Sequence, residues 1–155
     1  MTLKALLFIV VLTSNIGSAA EVSIAVVEVS TQKTNNYSFD VKTSALKPWK
    51  AVTGTVVEQT NRYSVKQGRL LSGDKKVSNA VALLYQCRID GCDLVVVREE
   101  YNSFSNPLRV LSAVSGHPIQ VSKIAILKIV DGKLKTKTEI IRKPNSYSWR
   151  VSVLQ

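Results

Sequence analysis

From Glu21 onward the chain alternates between apolar and polar residues. Val22, Ile24 and Val26 open the first such run, and Tyr37, Phe39 and Val41 fall on one side of the next, with Ser38, Asp40 and Lys42 on the other. Successive side chains of an extended backbone point to opposite faces. A period of two, rich in Val, Ile, Thr and Tyr and bounded by Asn, Gly, Asp and Pro, therefore predicts half-buried strands. Ala51 to Val57 and Tyr63 to Lys66 are weaker strand candidates. Gln67 to Asn79, with Gly68, Gly73 and the triplet Asp74-Lys75-Lys76, reads mostly as a loop. A last strand alternates Tyr147, Trp149, Val151 and Val153 with Ser and Arg.

Ala80 to Glu99 is the clearest hairpin. Leu83, Tyr85, Cys87, Cys92, Leu94 and Val96 are expected on one face in either of two registers. A two-residue type I′ turn at Asp90-Gly91 sets Ile89 opposite Cys92 and Cys87 opposite Leu94. A four-residue loop from Arg88 to Gly91 instead sets the two cysteines opposite each other, within bonding reach. The disulfide and the tightest turn compete, and the expectation is the disulfide Cys87–Cys92. The chain-entropy model gives so short a loop about 2 kcal/mol.

A second hairpin runs from Val121 to Val130, through Asp131-Gly132, to Lys133–Arg142. A type I′ turn there sets Ile129 against Leu134, Leu127 against Thr136 and Ala125 against Thr138. Lys128, Lys133, Lys135 and Lys137 then share the other face, with Lys128 directly across from Lys135. Between the hairpins one short helix is expected. Asn106 suits its N-cap, Pro107 its first turn and Gly116 its C-terminal turn, while Leu108, Leu111 and Ala113-Val114 supply an apolar stripe. These elements predict a mainly β fold: a small OB-like barrel or a compact sandwich with one short helix.

Residues 1–20 change the picture of where this domain works. Lys4, the apolar run Ala5–Leu12 and the small residues Ser18-Ala19-Ala20 have the three parts of a secretory signal peptide. The run is too short to cross a bilayer, and no later stretch is long enough, so no transmembrane segment is expected in the mature chain. The expectation is an exported protein, periplasmic or secreted, with a single β-rich domain over residues 21–155. An oxidising compartment agrees with a disulfide. Lys and Arg number 21 against 11 Asp and Glu, a formal charge of +10. So basic an exported domain suits an anionic glycan, a lipid head group or an acidic protein surface, although charge also serves plain solubility.

Motifs for catalysis are missing. His117 is the only histidine, and neither a positioned nucleophile nor an acid accompanies it in the sequence. Ser-x-x-Lys occurs at Ser30-Lys33, Ser44-Lys47 and Ser72-Lys75, none on a predicted helix and none with the companion motifs of penicillin-binding proteins. One histidine and two bonded cysteines cannot build a zinc site. Glu99 and Glu100 are adjacent, and neighbours on a strand point apart. No catalytic residue, metal ligand or cofactor is expected, and the chain reads as non-enzymatic.

The four lysines of the second hairpin are the positive signal. Like charges opposed across a ladder are unfavourable. An anionic ligand would compensate them, as would solvation or the protection of a sheet edge against aggregation. No aromatic residue interleaves with these cations, and export makes nucleic acid an unsuitable partner.

The order of elements resembles one family. A strand carrying Tyr85-x-Cys87 leads to Cys92 and Leu94–Val97. Ser103-Phe104, a short helix ending in Ser115-Gly116-His117-Pro118 and a strand beginning Ile119-x-Val121 follow. This resembles the small OB-fold B subunits of bacterial AB5 toxins, where a disulfide-linked strand pair precedes a helix that ends in a glycine turn. The resemblance covers only Tyr85 to Val121 and is one of spacing. It implies a topology and no site residues; symmetric self-association into a homo-oligomer would favour the subunit reading. The expected function is thus an exported binding or assembly module acting through a basic β-surface: a glycan-binding toxin subunit or a component of an envelope or secretion apparatus. A small exported hydrolase, or an inhibitor of another exported protein, is the alternative.

Overall fold

A computed structural model describes residues 21–103, 119–144 and 148–155. The proposed leader, the expected helix from Asn106 to Gly116, and His117 lie outside the described residues. Within them the chain forms β1 (Glu21–Glu28), β2 (Thr34–Asp40), β3 (Leu46–Pro48), β4 (Tyr63–Lys66), β5 (Arg69–Ser72), β6 (Lys75–Asn79), β7 (Ala82–Ile89), β8 (Cys92–Ser103), β9 (Ile119–Val130), β10 (Lys133–Pro144) and β11 (Trp149–Leu154), and no helix.

These strands build three antiparallel sheets rather than a closed barrel. The first has the order β11-β1-β2-β3, the middle one β10-β9-β8-β7 and the small one β4-β5-β6. The reason is legible in β8 and β9. Leu94–Val97 and Ile124–Leu127 are unbroken apolar runs, and every residue in them is buried. A barrel strand has one interior face, whereas a strand apolar on both faces needs cover on both. Ile124 and Ile126, with Tyr85, Cys87, Leu94 and Val96, pack against Val22, Ile24, Phe39, Val151 and Val153 of the first sheet. Ala125 falls on the opposite face, where Val95, Val97, Leu127 and Ile129 pack against Tyr63 and Leu70 of the small sheet. The middle sheet is the filling of a layered sandwich.

The tightest turn won in the first hairpin. Asp90 and Gly91 both have positive φ (51° and 77°), and Ile89 pairs with Cys92 while Cys87 pairs with Leu94. The cysteines therefore sit diagonally, and both are free buried thiols instead of the expected disulfide. Diagonal neighbours are too far apart for a bond that needs Cβ atoms about 3.5–4.5 Å apart. A bulge between Leu83 and Tyr85 also corrects the expected face: Leu83 packs with the small sheet and Tyr85 with the first.

Gln67–Asn79, expected as a loop, is instead two hairpin turns and two strands. Gln67-Gly68 repeats the doubly positive φ of a type I′ turn (52° and 74°), and Gly73 (φ 61°) opens the two-residue turn from Ser72 to Lys75. Ala51–Val57 is no regular strand; it meets the sheet at one bridge, Val56 to Leu154. There Thr55 and Gln155 exchange backbone hydrogen bonds of 3.0 and 2.9 Å. A side chain on Gly54 (φ 109°) would lie 2.6 Å from the Gln155 carbonyl oxygen, so this crossing admits only glycine.

Candidate anion-binding surface

The lysine face expected on the second hairpin does not form. Asp131 and Gly132 make the predicted turn and Leu134 pairs with Ile129, but a bulge at Lys135 then shifts the register. Lys128 lies opposite Thr136, not Lys135, and Lys137 lies opposite Leu127. An extra residue in a ladder reverses the parity of everything beyond it, so Lys133 and Lys137 project from opposite faces. Lys128 is half-buried, and its Nζ donates to the Lys42 carbonyl oxygen at 3.2 Å. Beside it Ser44 Oγ and Thr136 Oγ1 share a 2.6 Å hydrogen bond, tying the loop after β2 to β10. On the other face Lys137 pairs with the buried Glu99, which also holds Lys123 at 3.2 Å. Of the four lysines only Lys133 and Lys135 are exposed and, among the described residues, without an ion pair.

A denser basic surface lies on the small sheet. Tyr63, Val65 and Leu70 face inward, which turns the rows Ser64–Leu71–Lys76 and Lys66–Arg69–Asn79 outward. Lys66 is directly opposite Arg69. Lys75 stands exposed at the hairpin end, and Asp74 in the turn is the only acid between Tyr63 and Asn79. Arg69 Nη2 reaches Gln67 Oε1 at 3.4 Å, and none of these four cations has an ion pair among the described residues. This surface is hidden in the sequence because Gly68 and Gly73 mark loops as readily as hairpin turns. The usable signal was two dipeptides, Gln-Gly and Gly-Asp, spaced to allow a short strand between them, with Leu70 as its buried residue. β6 lies against β10, the strand that carries Lys133 and Lys135.

The small sheet is firmly mounted. Gln86 Oε1 accepts the backbone N–H groups of Arg62 and Tyr63, both at 3.0 Å, and its Nε2 donates to the Tyr63 carbonyl at 3.2 Å. A side-chain amide thus stands in for a ladder partner at the start of β4. Tyr63 donates its hydroxyl to Asp93 Oδ2 at 2.6 Å, and Arg88 holds Asp93 Oδ1 at 3.1 Å. Burial, then the Asp93 carboxylate, pushes the Tyr63 phenol well above its ordinary range, so it stays a donor.

The two thiols are held in their protonated forms. Burial, followed by the neighbouring Cys92 and Asp93, pushes the Cys87 thiol up to about 12, and burial also raises Cys92, whose Sγ lies 3.0 Å from the Ile89 carbonyl. Thiols so hard to ionise are poor nucleophiles. Ser44 is bonded to Thr136, and Lys47 lies over the Trp49 ring. No group of three or more potential metal ligands gathers among the described residues. No helix among them is long and apolar enough to cross a membrane. No protein-family model, curated protein or solved structure matches the chain.

Proposed function

We propose that this chain is an exported, non-enzymatic binding module whose small sheet presents a basic face to an anionic partner. The observation that carries the reading is Lys66 opposite Arg69, with Lys76 on the same outer face and Asp74 the only acid in sequence between Tyr63 and Asn79. Like charges across a ladder cost stability. Protection of a sheet edge accounts for lysines on an outer strand, but Arg69 stands on β5, the central strand of its sheet. The guanidinium fork matches a carboxylate, sulfate or phosphate, and Lys66 lies one strand spacing away, about 4.8 Å. The leader-like residues 1–20 support export, which brings such a surface to envelope glycans, lipid head groups or acidic exported proteins.

Binding to immobilised heparin and to phosphatidylglycerol vesicles at low and physiological salt tests this. Wild type should bind at low salt and weaken as salt screens exposed charge. Lys66→Glu with Arg69→Glu should abolish binding, and Lys133→Glu with Lys135→Glu should largely keep it. The reverse pattern would move the surface to the β9–β10 hairpin, and no effect from either pair would overturn the proposal.

A further inference from the structure

A different feature, on the first sheet and across the molecule from the small one, points to a second ligand. Trp49 extends β3 by one residue, its backbone N–H donating to the Asn36 carbonyl at 2.9 Å. Leu46 pairs with the buried Phe39, so Lys47 and Trp49 alternate onto the outer face. The Trp49 side chain is 49% exposed, while the chain's other tryptophan, Trp149, is 8% exposed. Three depressions have Trp49 in their walls. A concavity of about 600 Å³ lies among Trp49, Lys50, Ala51 and Thr53, and one of about 370 Å³ includes Thr34, Asn35 and Asn36. A third has Trp49 in its wall together with Ser23, Ser38, Thr53 and the carboxylate-bearing Glu21.

The surroundings select among occupants. An aromatic ring set in a lipid surface or an apolar peptide groove needs further apolar side chains around it. Here Pro48 and Ala51 lie beside the ring in the first depression, but the hydroxyl and amide side chains of Ser23, Thr34, Asn35, Asn36, Ser38 and Thr53 line much of the rest, and these would have to surrender water to hydrocarbon without gaining partners. A pyranose has the complementary build: a face of C–H groups, drawn to the negative face of the indole, and a rim of hydroxyls for the Ser, Thr and Asn groups. The Lys47 ammonium lies 5.0 Å from the ring centroid and so occupies one face of the indole. Lys50 borders two of the depressions and is exposed.

We propose that Trp49 is the stacking platform of a saccharide site, with the sugar ring on the indole face that Lys47 leaves open and an acidic substituent directed to Lys50. The site is separate from the basic small sheet and does not depend on it.

A panel of immobilised neutral and uronic-acid oligosaccharides tests it with wild type, Trp49→Ala and Lys50→Gln. Wild type should bind members of the panel. Trp49→Ala should bind them about tenfold more weakly, the order an aromatic stacking contact supplies. Lys50→Gln should weaken the uronic-acid members and spare the neutral ones. Binding to phosphatidylglycerol vesicles that depends on Lys66 and Arg69, and the unfolding midpoint, should be unchanged in Trp49→Ala; this separates failure of the site from failure of the fold or of the basic surface. Absence of saccharide binding by wild type, or equal binding by Trp49→Ala, would overturn the proposal. Trp49-dependent binding to phosphatidylcholine vesicles without saccharide binding would assign the ring to a lipid surface and would equally overturn it.

Discussion

Leu70→Ala probes how the small sheet is held. Leu70 is fully buried, with Val95, Val97, Leu127 and Ile129 of the middle sheet in the same core. The substitution removes branch carbons worth about 0.8 kcal/mol each in transfer, or roughly 2.5 kcal/mol. A cavity adds to this, because the neighbouring β-branched side chains of two central strands cannot collapse freely. The expected loss is about 3–4 kcal/mol. Leu71→Ala is the internal control: its neighbour in sequence points outward, between Ser64 and Lys76, and should cost less than about 1 kcal/mol. Urea unfolding followed by the fluorescence of buried Trp149 measures the global term. Amide exchange at Val65, Leu70 and Leu71 measures local release of the small sheet. A Leu70→Ala cost below about 0.5 kcal/mol, or equal costs for the two leucines, would refute the assignment of faces.

Tyr63→Phe removes the hydroxyl donated to buried Asp93 and should cost about 1.5–3 kcal/mol in the same unfolding assay; a neutral result would mean that Arg88 alone satisfies the carboxylate. Native protein should show two thiols that react with a thiol reagent only after denaturation, and a native Cys87–Cys92 disulfide found by mass spectrometry would contradict the hairpin register. The Cys87 thiol ionises near 9 in its ordinary state and at about 12 in the fold. Its contribution to stability is therefore whole below pH 9 and lost as pH rises from 9 toward 12, so Cys87→Ala should make that alkaline limb of unfolding shallower. Gly54→Ala should lower the thermal midpoint, and deleting Gln155, whose carbonyl the new methyl would strike, should make the two changes non-additive.

β1, β2, β4, β7 to β11 and both Asp-Gly turns were legible because they are written in local signals: a period of two and dipeptides that accept positive φ. What local signals do not encode is which face meets which layer. Leu94–Val97 and Ile124–Leu127 carried the information that the middle sheet is covered twice, but an apolar run does not name its cover. The bulges at Leu84 and Lys135 were invisible for a related reason. Each depends on partners across the ladder, and each reverses the parity from which a face is read. The lysine face dissolved on one such bulge. The Cys87–Cys92 disulfide does not form because the two-residue turn at Asp90-Gly91 sets the register, which an oxidising compartment does not alter. The small sheet was hidden by its glycines, which punctuate hairpins as readily as loops.

The central claim is that the outer face of β4–β6 receives an anionic partner. A titration of isotope-labelled protein with a short heparin oligosaccharide, followed by amide chemical shifts, tests it most directly. The account predicts saturable shifts centred on Lys66, Arg69 and Lys76, reduced by salt. Shifts centred on Lys133 and Lys135, or none at low salt, would contradict it.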